Sequence, residues 1–209
     1  MGHVVLLGDS IFDNGCYVAD GPPVADQVRQ ALPPGWRASL LAVDGHITAD
    51  VRAQLAQLPA DATHLVVSVG GNDALGASSL LAEPACSVGD ALESLHEVRQ
   101  RFEAAYESML QALARLPQPL AVCTIYDSVP GLGPAELTAL AGFNEVILRQ
   151  AFRSGLPVLD LRLVCDQEAD YSPISRIEPS AAGGAKIARV IVDVVTQHDF
   201  RRGRSAIYF

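Results

Sequence analysis

Val4-Val5-Leu6-Leu7-Gly8-Asp9-Ser10 decides the reading of this chain. A short unbroken apolar run is what a strand covered on both faces looks like, and parallel sheets are built from such strands. The run stops at a glycine, and the next two residues carry a carboxyl and a hydroxyl. The same arrangement recurs along the chain. Residues 39–43 lead into Asp44-Gly45-His46, and residues 64–69 lead into Gly70-Gly71-Asn72-Asp73. Residues 120–126 lead into Asp127-Ser128, and residues 157–161 form a short fifth run containing Asp160.

Helical periodicity fills the intervals. Val24, Val28, Ala31 and Leu32 recur at helical spacing before Pro33-Pro34-Gly35. Thr48 is positioned to cap a helix carrying Val51, Leu55 and Leu58, which Pro59 stops. A stripe from Val88 through Leu92, Leu95, Val98 and Phe102 continues to Leu116 and ends at Pro117. Pro134 opens a helix that reaches Ala151, and Ser180 caps a last helix through Ile187, Ile191 and Val194. Strands alternating with helices predict parallel β-α-β units. The expected architecture is one α/β domain spanning residues 1–209, a three-layer α/β/α sandwich with five parallel strands.

Composition agrees with a packed domain. The chain has 209 residues, 49% hydrophobic and 19% charged, too apolar for disorder. A net charge of −9 argues against nucleic-acid binding and against anionic membrane surfaces. No stretch reaches the ~18 apolar residues of a membrane helix. The first apolar run is short and has no basic residues before it, so a cytoplasmic protein is expected. Cys16, Cys86, Cys123 and Cys165 are far apart with no CxxC spacing, which predicts free thiols rather than disulfides or a zinc site.

In an open parallel sheet, ligands bind beyond the carboxyl ends of the strands. The residues gathered there are a hydroxyl at Ser10, a glycine at Gly45 and a side-chain amide at Asn72. Acyl transfer needs this set: a nucleophile, and donors for the charge that develops on the carbonyl oxygen. Any one of them alone reads as an ordinary turn residue. Other chemistries fit less well. Gly183-Gly184-Ala185-Lys186 lacks P-loop spacing, and Gly70-Gly71-Asn72 is not a dinucleotide fingerprint. Asp9, Asp13, Asn14, Asp73 and Asp127 can be imagined around Mg²⁺, but Asp at turns and caps explains them more simply. No cofactor and no metal are expected.

Gly8-Asp9-Ser10, then Gly45, then Gly70-Gly71-Asn72-Asp73 resemble the blocks of the SGNH, or GDSL, hydrolases. The resemblance implies a flavodoxin-like sandwich and a small-molecule acyl ester or thioester as substrate. It also implies a nucleophile at Ser10 and an oxyanion hole from Gly45 and Asn72. It extends to the last block, where the family ends in Asp-x-x-His-Pro. Here that stretch reads Ser175-Arg176-Ile177-Glu178-Pro179. Ser175 stands where Asp is expected and Glu178 where His is expected.

Four readings of that replacement remain open. Glu178 can itself be the general base if burial raises its pKa, although pairing with Arg176 would lower it. His46, next to Gly45, can supply the base instead. The site can be catalytically silent, leaving a ligand-binding protein. Or the fold can serve as an interaction module for a basic partner. Oligomeric state is not readable from the sequence.

Overall fold

The computed structural model describes residues 2–209. In chain order its main elements are β1 (His3–Gly8), α1 (Val24–Ala31), β2 (Arg37–Leu40), α2 (Val51–Gln54), β3 (His64–Ser68), α3 (Gly71–Gly76) and α4 (Val88–Leu113). They continue with β4 (Leu120–Cys123), α5 (Pro134–Arg153), β5 (Val158–Leu159), α6 (Leu161–Val164), α7 (Ala181–Gln197) and β6 (Ile207–Tyr208). The strands form one sheet in the order β2-β1-β3-β4-β5-β6, with every neighbouring pair parallel.

Alternation along β1 builds both faces of the core. Val4 and Leu6 join a buried cluster with residues of α1, α6 and α7. Val5 and Leu7 join a second with residues of α2, α4 and α5. Successive strand side chains point to opposite faces, so a strand with two covered faces must be apolar throughout. All six residues of β1 are buried. The three-layer α/β/α expectation therefore stands.

The sheet has six strands, not five. Ile207 and Tyr208 pair with Val158 and Leu159 at the edge, and Val158 N–H donates to the Ala206 carbonyl at 2.8 Å. A two-residue strand carries no periodicity, so sequence pattern cannot announce it. The strand expected over 39–43 lies earlier, as β2, and the one expected over 120–126 is shorter, as β4. Thr48 does not cap a helix. It lies within a 3₁₀ turn, Thr48–Asp50, and its hydroxyl donates to Asp73 instead.

One expected core stripe is only partly core. Val88 and Leu92 are 78% and 58% exposed, whereas Phe102, Tyr106 and Met109 on the same helix are buried. Leu95 and Val98, between these two groups, line a cavity beside Ser10.

Chain order fixes where that cavity opens. The chain leaves β1 toward β2 on one side, then returns to place β3 on the other. A crevice forms at such a switch point, beyond the carboxyl ends of the two strands. Those ends are Gly8 and Ser68, which face each other in register.

Candidate active site

Gly8 makes the turn after β1 possible. Its φ is +123°, and a Cβ there would lie 1.8 Å from the Ser68 carbonyl oxygen; no L side chain fits. Gln54 of α2 clamps the same residue from both sides. Gly8 N–H donates to Gln54 Oε1 at 2.9 Å, and Gln54 Nε2 donates to the Gly8 carbonyl at 2.7 Å. The chain then closes one tight turn, with Phe12 and Asp13 N–H groups both donating to the Asp9 carbonyl. Ser10 sits in this turn, 7% exposed.

Glu178 arrives from the long connection between α6 and α7. Its own N–H donates to the Ser175 carbonyl, and its carbonyl accepts from Ser172 N–H. The Tyr126 hydroxyl donates to the Ile177 carbonyl just before it, and Tyr171 bridges Pro179 just after it. Fully buried Asn14 ties this segment to the serine turn. Its amide donates to the Pro179 carbonyl at 3.0 Å and accepts from Val24 N–H at 2.9 Å. The result is one direct contact: Ser10 Oγ donates to Glu178 Oε1 at 2.9 Å, within a buried pair.

Asn72 lies in the first turn of α3, just after Gly70, whose φ is +121°. Its Nδ2 donates to the His46 carbonyl at 2.9 Å. That hydrogen bond uses one of two amide hydrogens. Ser10, Asn72 and Glu178 line the same cavity, and neither Gly45 nor His46 does. Gly45 is an exposed turn residue with φ +80°. The neighbouring Asp44 N–H is held by Asp13. His46 Nδ1 lies 3.0 Å from Gln54 Nε2, not against Ser10.

The electrostatics of the cavity are unusual. Asp9, Glu178 and Glu136 line it, but no Lys, Arg or His does. Burial pushes the Glu178 carboxyl up to about 7, against the lowering effect of the Ser10 hydrogen bond, with a further push from the Asp44 charge. Burial likewise raises Asp9 to about 8, opposed by the Ile11 N–H and reinforced by the Glu178 and Asp73 charges. Glu178 Oε2 is buried and has no hydrogen-bond partner among the described residues. Arg176 does not relieve it. That guanidinium donates to the Pro130 carbonyl.

The acidic residues do not gather as a metal site. Asp13 accepts from Asp44 N–H, and Asp73 accepts from Thr48 N–H and hydroxyl. Asn14 uses its amide on backbone groups. Among the described residues, no group of three His, Cys, Asp or Glu side chains is arranged to hold an ion.

A strand-end serine, an amide one strand away and a carboxylate on the serine hydroxyl thus meet in one cavity. The model of the GDSL-like Lipase/Acylhydrolase family matches residues 6–186. The chain belongs to that family. The match runs from β1 into α7, so it includes every element that positions the site. Solved structures share the fold at low identity. An extracellular lipase from Streptomyces rimosus is 19% identical, with 93% of this chain and 98% of that chain covered at a TM-score of 0.67. The lipase Lip_vut3 from a goat rumen metagenome is 17% identical, with 96% and 100% covered at 0.74. An acetyl xylan esterase from Geobacillus stearothermophilus is 17% identical, with 93% and 94% covered at 0.65. A comparison with curated protein sequences finds no match. Among the described residues, no helix of this GDSL-family chain is long and apolar enough to cross a membrane.

Asn14 and Gln54 are the positioning residues that sequence reading missed. Each works through partners far away in the chain, at Pro179 for one and Gly8 for the other. An isolated Asn or Gln gives no sequence signal for such a role.

Proposed function

We propose that this chain is a single-domain serine hydrolase that cleaves carboxylic esters or thioesters, with Glu178 in place of the usual histidine. The observation that carries the reading is the buried 2.9 Å hydrogen bond from Ser10 Oγ to Glu178 Oε1. A general base must lie within hydrogen-bond reach of the proton it takes, and its pKa should be near the working pH. Glu178 meets both conditions, with its pKa raised to about 7 by burial.

The steps follow from these residues. As Ser10 Oγ attacks the acyl carbon, its proton passes to Glu178. The negative charge that develops on the carbonyl oxygen is received by the backbone N–H of Ser10 and by the second Asn72 amide hydrogen, without Gly45, which lies outside the cavity. Glu178, now neutral, returns the proton to the departing alcohol or thiol. The acyl group is left on Ser10. Water then attacks the acyl carbon and gives a proton to Glu178, and Glu178 returns that proton to Ser10 Oγ as the acyl–oxygen bond breaks and the acid leaves. A histidine base needs a partner to fix its tautomer and orientation. A carboxylate has no tautomers, so Ser175 in place of the family's Asp is consistent with a glutamate base.

Labelling and turnover test the proposal together. A fluorophosphonate should add covalently to Ser10 in the wild type, read by mass spectrometry of the peptide. It should leave Ser10→Ala unlabelled. Turnover of p-nitrophenyl butyrate should vanish in Ser10→Ala. It should fall by about 10²–10⁴-fold in Glu178→Gln, the usual contribution of a general base. Turnover that survives in Ser10→Ala would overturn the reading.

A further inference from the structure

The cavity beside Ser10 has two chemically different parts. Where it meets the strand ends it is lined by Asp9, Ser10, Ser68, Asn72 and Glu178. Away from them it runs between α3, α4 and α5 and is walled by side chains such as Leu75, Leu80, Leu95, Val98, Leu140 and Phe143. Two polar side chains line this second part, and both are engaged with their own backbone. Ser78 Oγ donates to the Leu75 carbonyl at 2.7 Å. Glu136 Oε2 accepts from Gly133 N–H at 3.0 Å, closing the start of α5. Nothing there offers a free donor to a sugar or a cation to an acid group.

Small side chains keep the space open. Ala74, Ala77 and Ala139 contribute to the wall where larger apolar residues would close it. The apolar surface also continues outward. Leu75, Leu81, Val88 and Leu92 are 47%, 37%, 78% and 58% exposed around the same helices. Exposed apolar side chains that cluster beside a cavity mark a ligand surface rather than random exposure.

We propose that this cavity holds the aliphatic acyl chain of the substrate, so that the enzyme acts on esters or thioesters of medium-chain linear acids rather than on acetyl esters. This deepens the hydrolase reading and rests on it. The direction follows from the site. The leaving group must come to Glu178 to receive a proton, and the carbonyl oxygen must face Asn72. Asn72 belongs to α3, the helix that begins one wall of the cavity. The substituent pointing away from Glu178 therefore enters the apolar part, and that substituent is the acyl chain.

The test is a series of p-nitrophenyl esters from acetate to dodecanoate, beside a matched series of alkyl acetates. Burying several methylenes should raise kcat/KM by ~10-fold or more from acetate to octanoate. Ala139→Phe should reduce that octanoate-to-acetate ratio at least about 5-fold by filling the channel. Val98→Trp, on α4 across the cavity, serves the same purpose if Ala139→Phe does not fold. A flat or falling acyl series would overturn the proposal. So would a chain-length gain seen only among the alkyl acetates, which would put the chain on the alcohol side. If no ester turns over, binding of 1-octanol to Ser10→Ala protein by calorimetry separates the two claims. Binding that Ala139→Phe abolishes would uphold the acyl pocket while the hydrolase reading fails. Absence of binding would sink the pocket as well.

Discussion

Glu178 accepts a hydrogen bond from the Ser10 hydroxyl at 2.9 Å through one carboxyl oxygen, and its other oxygen is buried without a partner among the described residues. Burying an ionised carboxylate without a cation is costly, and the group responds by holding its proton more tightly. The arrangement is poor for stability and suited to proton transfer at neutral pH. Strongly shifted carboxyls concentrate at functional sites for this reason.

The first expected outcome concerns stability against pH. Glu178 and Asp9 both have folded-state pKa values raised above their unfolded ones, to about 7 and about 8. The folded state therefore holds more protons than the unfolded state between about pH 4 and pH 8. The stability these groups contribute is complete below their unfolded pKa values and is lost as pH rises through 7 and 8. Glu178→Gln removes one such charge. Its melting temperature should match wild type near pH 4, exceed it increasingly up to about pH 7, and keep a constant advantage above that. The gain corresponds to at most about 3 kcal/mol, from ~1.36 kcal/mol per pKa unit. Thermal unfolding at a series of pH values checks this. A constant difference across pH would contradict it.

Asn72 should separate oxyanion stabilisation from loop anchoring. Loss of one oxyanion donor typically costs about 10²–10³ in kcat. Asn72→Ala should show that loss with a small change in KM. Because its amide also holds the His46 carbonyl, the melting temperature should drop slightly as well. A loss confined to KM would mean that Asn72 positions the substrate and does not receive the oxyanion.

Asn14 gives a test at a distance from the chemistry. Its amide bridges Val24 N–H and the Pro179 carbonyl in a fully buried setting. Asn14→Ala leaves both groups unsatisfied and should cost about 2–4 kcal/mol in urea unfolding. Asn14→Asp keeps the acceptor for Val24 and loses the donor to Pro179. Its kcat should fall because Pro179 adjoins Glu178, and octanoate and butyrate turnover should fall together.

The fold was legible because it depends on local, repeated signals. Buried runs such as 4–7, helical stripes and proline stops each state their role within a few residues. β6 was not legible, because Ile207 and Tyr208 become a strand only by lying beside β5. Val88 and Leu92 continue a perfect stripe in sequence, yet they are exposed, and the buried part of the helix begins only at Phe102. Periodicity reports a face of a helix, not what covers it.

The site was legible at the strand ends and illegible between them. Ser10 and Asn72 stand out as residue types at strand ends, Glu178 stands out only by its place in the block that resembles the family's last one, and the structure brings all three to one cavity. Sequence adjacency misleads for two others. Arg176, two residues from Glu178, reaches for the Pro130 carbonyl. His46, beside Gly45, directs its ring to Gln54. Those partners are set by tertiary packing, which pattern does not report.

The most direct test of the central claim is the pH dependence of kcat/KM for p-nitrophenyl butyrate, measured from pH 5 to 9.5 in wild type, Glu178→Gln and His46→Gln. The wild type should rise with unit slope through an apparent pKa near 7, the value to which burial raises Glu178, and then level off. His46→Gln should keep that limb, because the ring is held by Gln54 and not by Ser10. Glu178→Gln should lose the limb along with about 10²–10⁴ of the rate. A limb that disappears in His46→Gln and persists in Glu178→Gln would show that the imidazole, not the carboxylate, takes the proton from Ser10.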